Sequence, residues 1–175
     1  MDYREMYPGA LKFISGLIDL FLVLGGLAIV GIVFVNATLR GFAGFDFAWS
    51  LEVVAFLLLW VTFLGSAAAM ARGAHMRVTE IAANVVPASL RRPLAILIDF
   101  LVLALLGSLI YHGFSISFLT WAQTTTVLYL PVGLLYAAMP VGMALTLLFH
   151  VYNMFIDLSG GVGAPPFDET LEARG

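Results

Sequence analysis

The sequence contains no cysteine. That removes disulfides, thiolate metal sites and cysteine nucleophiles together. Charge is scarce as well. Asp, Glu, Lys and Arg make up 11% of the 175 residues, against about 25% in soluble domains. The net charge is −3, and no cluster of Lys and Arg stands beside exposed aromatics, so nothing supports nucleic-acid binding. Strand-like alternation is absent. The apolar runs are long and continuous, which disfavours a β-barrel. No internal repeat is visible, so the chain is not an inverted-repeat transporter in miniature.

What is present is apolar mass. Hydrophobic residues account for 62% of the chain, and the mean hydropathy is +1.03. A water-soluble fold of this size has no room to hide so much apolar surface, so this is an integral membrane protein. At about 20 residues per span, four helices and their loops fill it. Residues 1–10 are short, mixed in charge and turn at Pro8-Gly9. They form a poor signal peptide, because the following apolar run is too long and ends at Asn36 rather than at a cleavage site. Spans are expected at about 11–39, 48–71, 91–118 and 131–157, making residues 11–157 one transmembrane domain. The tail, 158–175, lacks periodicity and is expected to be disordered.

The connections carry information too. In 72–92, Val78, Ile81, Ala82, Val85 and Val86 recur at helical spacing opposite Arg77, Glu80 and Asn84. This predicts a short interfacial amphipathic helix over 76–86. The outer connections hold aromatics of a membrane–water belt, among them Phe42, Phe45, Trp49, Trp121 and Tyr129. Pro131 is expected to open the fourth span. Pro140 is expected to kink it by freeing the Tyr136 carbonyl. Gly25, Gly26, Ala28 and Gly31 form a small patch on the first span. Gly133/Ala137 and Ala138/Gly142 do the same on the fourth. Arg4, Lys12, Arg72, Arg77, Arg91 and Arg92 are six of the eight Lys and Arg. By the positive-inside rule, the termini and the middle loop are expected in the cytoplasm.

Few residues offer chemistry. Asn36 and Arg40 share a helix face at i, i+4, and Glu52 begins the next span at similar depth. A charge near the bilayer is costly unless paired or wetted. An Arg40–Glu52 bridge assisted by Asn36, stapling the outer hairpin, is the economical arrangement. The alternatives are a role in ion movement or a charge facing a partner subunit. Asp19 is shallow and expected to reach water or pair with Lys12. Arg72 and His75 read as interfacial anchors. Of the other histidines, His112 lies near the outer end of the third span and His150 near the inner end of the fourth. At 1.5 Å per residue they stand roughly 20–30 Å apart in depth, too far to share a haem iron. No His, Asp or Glu stands at the midplane beside a serine motif, which leaves an enzyme without a base. No carboxylates and histidines cluster for a metal.

The order Asn36-x3-Arg40, Trp49-x2-Glu52, Trp60, Phe63-Leu64-Gly65 and Arg72-x2-His75 resembles the small membrane subunit (DctQ type) of tripartite ATP-independent periplasmic (TRAP) transporters. Leu128-Tyr129-Leu130-Pro131, Tyr136, Pro140 and Gly142 continue the likeness, which covers about residues 10–157. The resemblance implies an all-α inner-membrane subunit without substrate site, metal or cofactor of its own. It also implies a structural or partner-contact role for Asn36, Arg40, Trp49, Glu52, Trp60, Gly65, Arg72, His75, Pro131, Tyr136 and Pro140. Implied partners are the large TRAP membrane subunit, a periplasmic substrate-binding protein and membrane lipids. Sodium coupling and organic-acid recognition would reside in those partners. Two other classes stay open on the residues alone. One is a four-helix anchor of a respiratory enzyme complex, and the other a stand-alone small transporter.

Overall fold

The computed structural model describes residues 3–73 and 88–158. After a 3-10 turn at Tyr3–Met6 come α1 (Gly9–Ala43), α2 (Ser50–Ala71), α3 (Ala88–Leu119), α4 (Val132–Tyr136) and α5 (Ala138–Leu158). The chain is an all-α membrane protein. Among the described residues, four units are long and apolar enough to cross a bilayer: α1, α2, α3 from Ile96, and α4 with α5. The predicted interfacial helix at 76–86, with His75 and Arg77, lies outside the described residues, as does the tail from Ser159.

The boundaries differ from expectation where glycine or proline decides them. The first span continues to Ala43 and stops at Gly44, whose φ of 63° is left-handed and costs glycine little. At about 1.5 Å per residue, its 35 residues reach about 52 Å. That exceeds one hydrocarbon core, so α1 is tilted or projects beyond it. The third helix begins at Ala88, with Pro93 in its second turn. Pro131 stands just before α4 as its N-cap. The fourth span breaks at Ala137, between α4 and α5. Pro140 has no N–H to offer the Tyr136 carbonyl. Hydrogen bonds from Ala137 N–H to Gly133 O (2.9 Å) and from Val141 N–H to Ala137 O (3.2 Å) carry the chain across the break.

The spans are neighbours in the order α1, α2, α5, α3. Each helix at an end of this row has one principal partner, and the middle pair buries the core. Ala67, Ala71 and Phe149 are fully enclosed. Small residues set the spacing of α2 and α5. A Cβ on Gly142 would lie 2.6 Å from Phe63 Cβ and 2.7 Å from the Phe63 carbonyl oxygen, so the two backbones approach without side chains between them. Only part of the α1 patch is used. Gly25 faces Val61 of α2, whereas Gly26 and Gly31 face open space.

Tyr3 and Tyr7 pack onto this core. Tyr7 is buried, stacks on Phe149 at 5.7 Å and meets Tyr152 edge-on at 5.4 Å. Tyr3 is buried beside it in the same cluster.

Candidate functional site

Polar side chains collect at the two ends of the helices, with one small group midway along them. At the hairpin end, Asn36 Oδ1 accepts the Phe47 N–H at 2.8 Å. This pins the α1–α2 turn, where Phe47 packs between Phe45 and Trp49. Ser50 N–H donates to Phe47 O at 3.0 Å and starts α2.

The expected Arg40–Glu52 bridge is not formed. Glu52 reaches the opposite connection instead. Its Oε1 accepts Thr126 Oγ1 (2.9 Å) and Val127 N–H (2.8 Å), and its Oε2 accepts Leu128 N–H (2.8 Å). Two backbone donors and a hydroxyl satisfy the carboxylate more fully than one flexible guanidinium would. Glu52 therefore fastens the loop between α3 and α4 to the start of α2. The loop is itself structured. Thr124 and Pro131 form an isolated antiparallel bridge, and Thr125 N–H donates to Leu130 O at 2.9 Å. Leu130 N–H returns to Thr125 Oγ1 at 3.1 Å. Tyr129 turns the tip at a φ of 53°, rare for a residue with a Cβ. Its ring is exposed, with Val127 and Leu128 beside it.

Arg40 remains in the last turn of α1, where exposed carbonyls favour a cation. Among the described residues no carboxylate lies within ion-pair distance of it. It borders an open hollow between α1 and α2 whose other polar lining residues are Asn36 and Ser50.

At the end of the bundle where the chain starts, Asp19 is the centre. Its Oδ2 accepts Arg4 Nη1 at 2.7 Å, and its Oδ1 accepts Arg72 Nη2. The expected partner Lys12 is not the one used. One helical turn does not separate Asp19 from Lys12, whereas α2 delivers Arg72 beside it. Arg72 thus joins the end of α2 to α1 rather than serving only as an interfacial anchor. Asn153 completes this end. Its Oδ1 accepts Tyr7 O–H at 2.6 Å, and its Nδ2 donates to Met70 O at 2.9 Å. His150 is buried with its Nε2 at 3.8 Å from Asp99 Oδ1. His112 packs edge-on against Tyr111. Among the described residues, no three His, Cys, Asp or Glu side chains gather as a metal site.

Midway, Ser66 Oγ and Thr146 Oγ1 lie 3.0 Å apart across α2 and α5. Each also bonds its own helix, to Phe63 O (2.7 Å) and Gly142 O (2.8 Å). With one proton apiece, the two hydroxyls make two of these three bonds at a time, and the bond between the helices forms when one hydroxyl turns from its own carbonyl to its neighbour's oxygen. Trp60 is partly buried against the core, and its Nε1 has no hydrogen-bond partner. A Cβ on Gly65 would make only an ordinary 3.9 Å contact with Leu22.

Several hydrogen-bond partners carried no signal in the sequence. The 124–131 loop gave no signal for Glu52, because backbone N–H groups are invisible in composition. Asn153 was missed as one polar residue in an apolar run. Residues 29–160 match the model of a known family, described as tripartite ATP-independent periplasmic transporters, DctQ component. No curated protein matches the chain.

Proposed function

The chain belongs to the DctQ component family of tripartite ATP-independent periplasmic transporters, and we propose that within such a transporter it is the static brace of the large membrane subunit. It is a transporter component and not an enzyme. In this reading the large subunit moves as an elevator and carries the sodium and substrate sites. A periplasmic binding protein delivers an organic acid to it. The small subunit lies in the cytoplasmic (inner) membrane with both termini and the middle loop on the basic, cytoplasmic side.

One observation carries the proposal. The row of helices completes its core at α2 and α5 and leaves α1 and α3 largely uncovered. Only 11% of the most apolar window of either helix is buried. The midway hydroxyls place both their protons within the pair, on each other or on their own helices' carbonyls. A transporter acting alone needs polar, broken helices converging at the midplane. Here the break at Ala137 lies between Tyr136 and Ala138, in an apolar stretch of the span. Wide apolar flanks and an internally satisfied middle suit a body that packs against another protein.

The test is reconstitution. Liposomes holding this chain alone, the large subunit alone, or both with the binding protein are assayed for sodium-driven uptake. The brace reading expects uptake only with all components, and stable co-purification of the two membrane subunits. Uptake by this chain alone refutes it. So does full uptake without it.

A further inference from the structure

We propose that the hollow between α1 and α2 beside Arg40 is a phospholipid site, with the lipid phosphate on Arg40 and an acyl chain along the apolar wall. The hollow has a volume of about 440 Å³. Its lining is graded. Ile32, Val33 and Val54 form the part that runs into the span, and Asn36, Arg40 and Ser50 gather at its lip. Ile32 and Arg40 are eight residues apart, about 12 Å along the axis. That length matches a headgroup followed by the first carbons of a chain.

Three observations select an anion with an apolar tail. The first is the guanidinium of Arg40. It has no carboxylate partner among the described residues, because Glu52 is held by Thr126, Val127 and Leu128. An arginine at membrane depth favours a counter-charge, and its fork matches phosphate oxygens. The second is Ser50. It is 2% exposed, lines the hollow, and its Oγ has no hydrogen-bond partner, a buried polar atom in need of one. The third is Asn36. Its carbonyl is committed to Phe47, which leaves its NH2 group as a donor at the same lip. Two donor side chains and a hydroxyl above an apolar wall recognise an amphiphile better than a free inorganic anion. The inference does not depend on the transporter reading.

Native mass spectrometry tests it on the full chain released from mild detergent, titrated with palmitoyl-oleoyl phosphatidylglycerol. The expected result is one retained lipid per chain. Arg40→Gln should lower retention at least tenfold. Ala37→Phe, which fills the hollow from α1 and leaves the charge in place, should do the same. Lys12→Gln should retain lipid as the unsubstituted chain does, and circular dichroism checks that each variant stays helical. Equal retention by Arg40→Gln overturns the proposal, as does an equal loss in Lys12→Gln, which would mark nonspecific charge attraction. Displacement of the lipid by millimolar inorganic phosphate would assign the site to a free anion and overturn it too. In the complex with the large subunit, cross-linking from Ala37→Cys to that subunit with no lipid retained would show a protein occupant instead.

Discussion

Replacing Gly142 by alanine should destabilise the protein, while the same change at Gly65 should not. Both glycines lie within long helices facing other spans. Their surroundings differ. An added Cβ at Gly142 falls 2.6 Å from Phe63 Cβ and 2.7 Å from Phe63 backbone atoms, against 3.4–4 Å for an ordinary contact. The shortfall is about 0.8 Å, and backbone cannot rotate away. The helices α2 and α5 must therefore part along their common face. A radial gap of about 0.5–1 Å forfeits a quarter to a half of each dispersion contact, and overpacking typically costs about 1–3 kcal/mol. Alanine returns up to about 1 kcal/mol through helix propensity. The net expectation for Gly142→Ala is a loss of about 1–2 kcal/mol. Gly142→Leu should exceed it. At Gly65 the new methyl meets Leu22 at 3.9 Å, so the change should be neutral or slightly stabilising. Parting α2 and α5 also stretches the Ser66–Thr146 contact, adding about 0.6 kcal/mol in the same direction. Equilibrium unfolding in mixed micelles, followed by tryptophan fluorescence, measures the difference. If Gly142→Ala unfolds at the same detergent ratio as Gly65→Ala, the backbone contact of α2 and α5 is not what holds the pair.

Other consequences concern the polar ends. Asn153→Leu removes both the acceptor for Tyr7 and the donor to Met70 O, and should cost about 2–3 kcal/mol because two buried groups lose partners. Tyr7→Phe should cost about 1 kcal/mol, and a double-mutant cycle in the same micelles should show strong coupling between them. Glu52→Gln should speed amide exchange at Val127 and Leu128, read by hydrogen–deuterium exchange, because only one of its two side-chain termini still accepts; unchanged protection would refute the fastening role. The charge swap Arg40→Glu with Glu52→Arg should fall no closer to the original stability than either single change, and recovery would restore the direct bridge as the better account. Asp19→Asn should lower the unfolding free energy by about 0.5–1 kcal/mol, since both arginine partners are partly solvated; no change would leave Asp19 without a structural role.

The number of the spans was legible from sequence because lipid acts on local composition. About 20 apolar residues must become a helix in a bilayer, whichever neighbours they find. Pro140 likewise announced the break at Ala137, since a missing N–H is a local fact. The family likeness also rested on local order, from Asn36 through Gly142. Partners were a different matter. In lipid the outward faces of α1 are as apolar as the inward ones, so no periodicity tells which face meets α2 and which meets lipid or another protein. The neighbour order α1, α2, α5, α3 is therefore a tertiary result. So is the exchange of partners at both ends. Glu52 joins a loop more than seventy residues later, and Asp19 joins Arg72 rather than Lys12. Charge and depth told the sequence reader that these carboxylates needed partners. Only the packing of α2 between α1 and α5 decided which donors arrived within hydrogen-bonding distance.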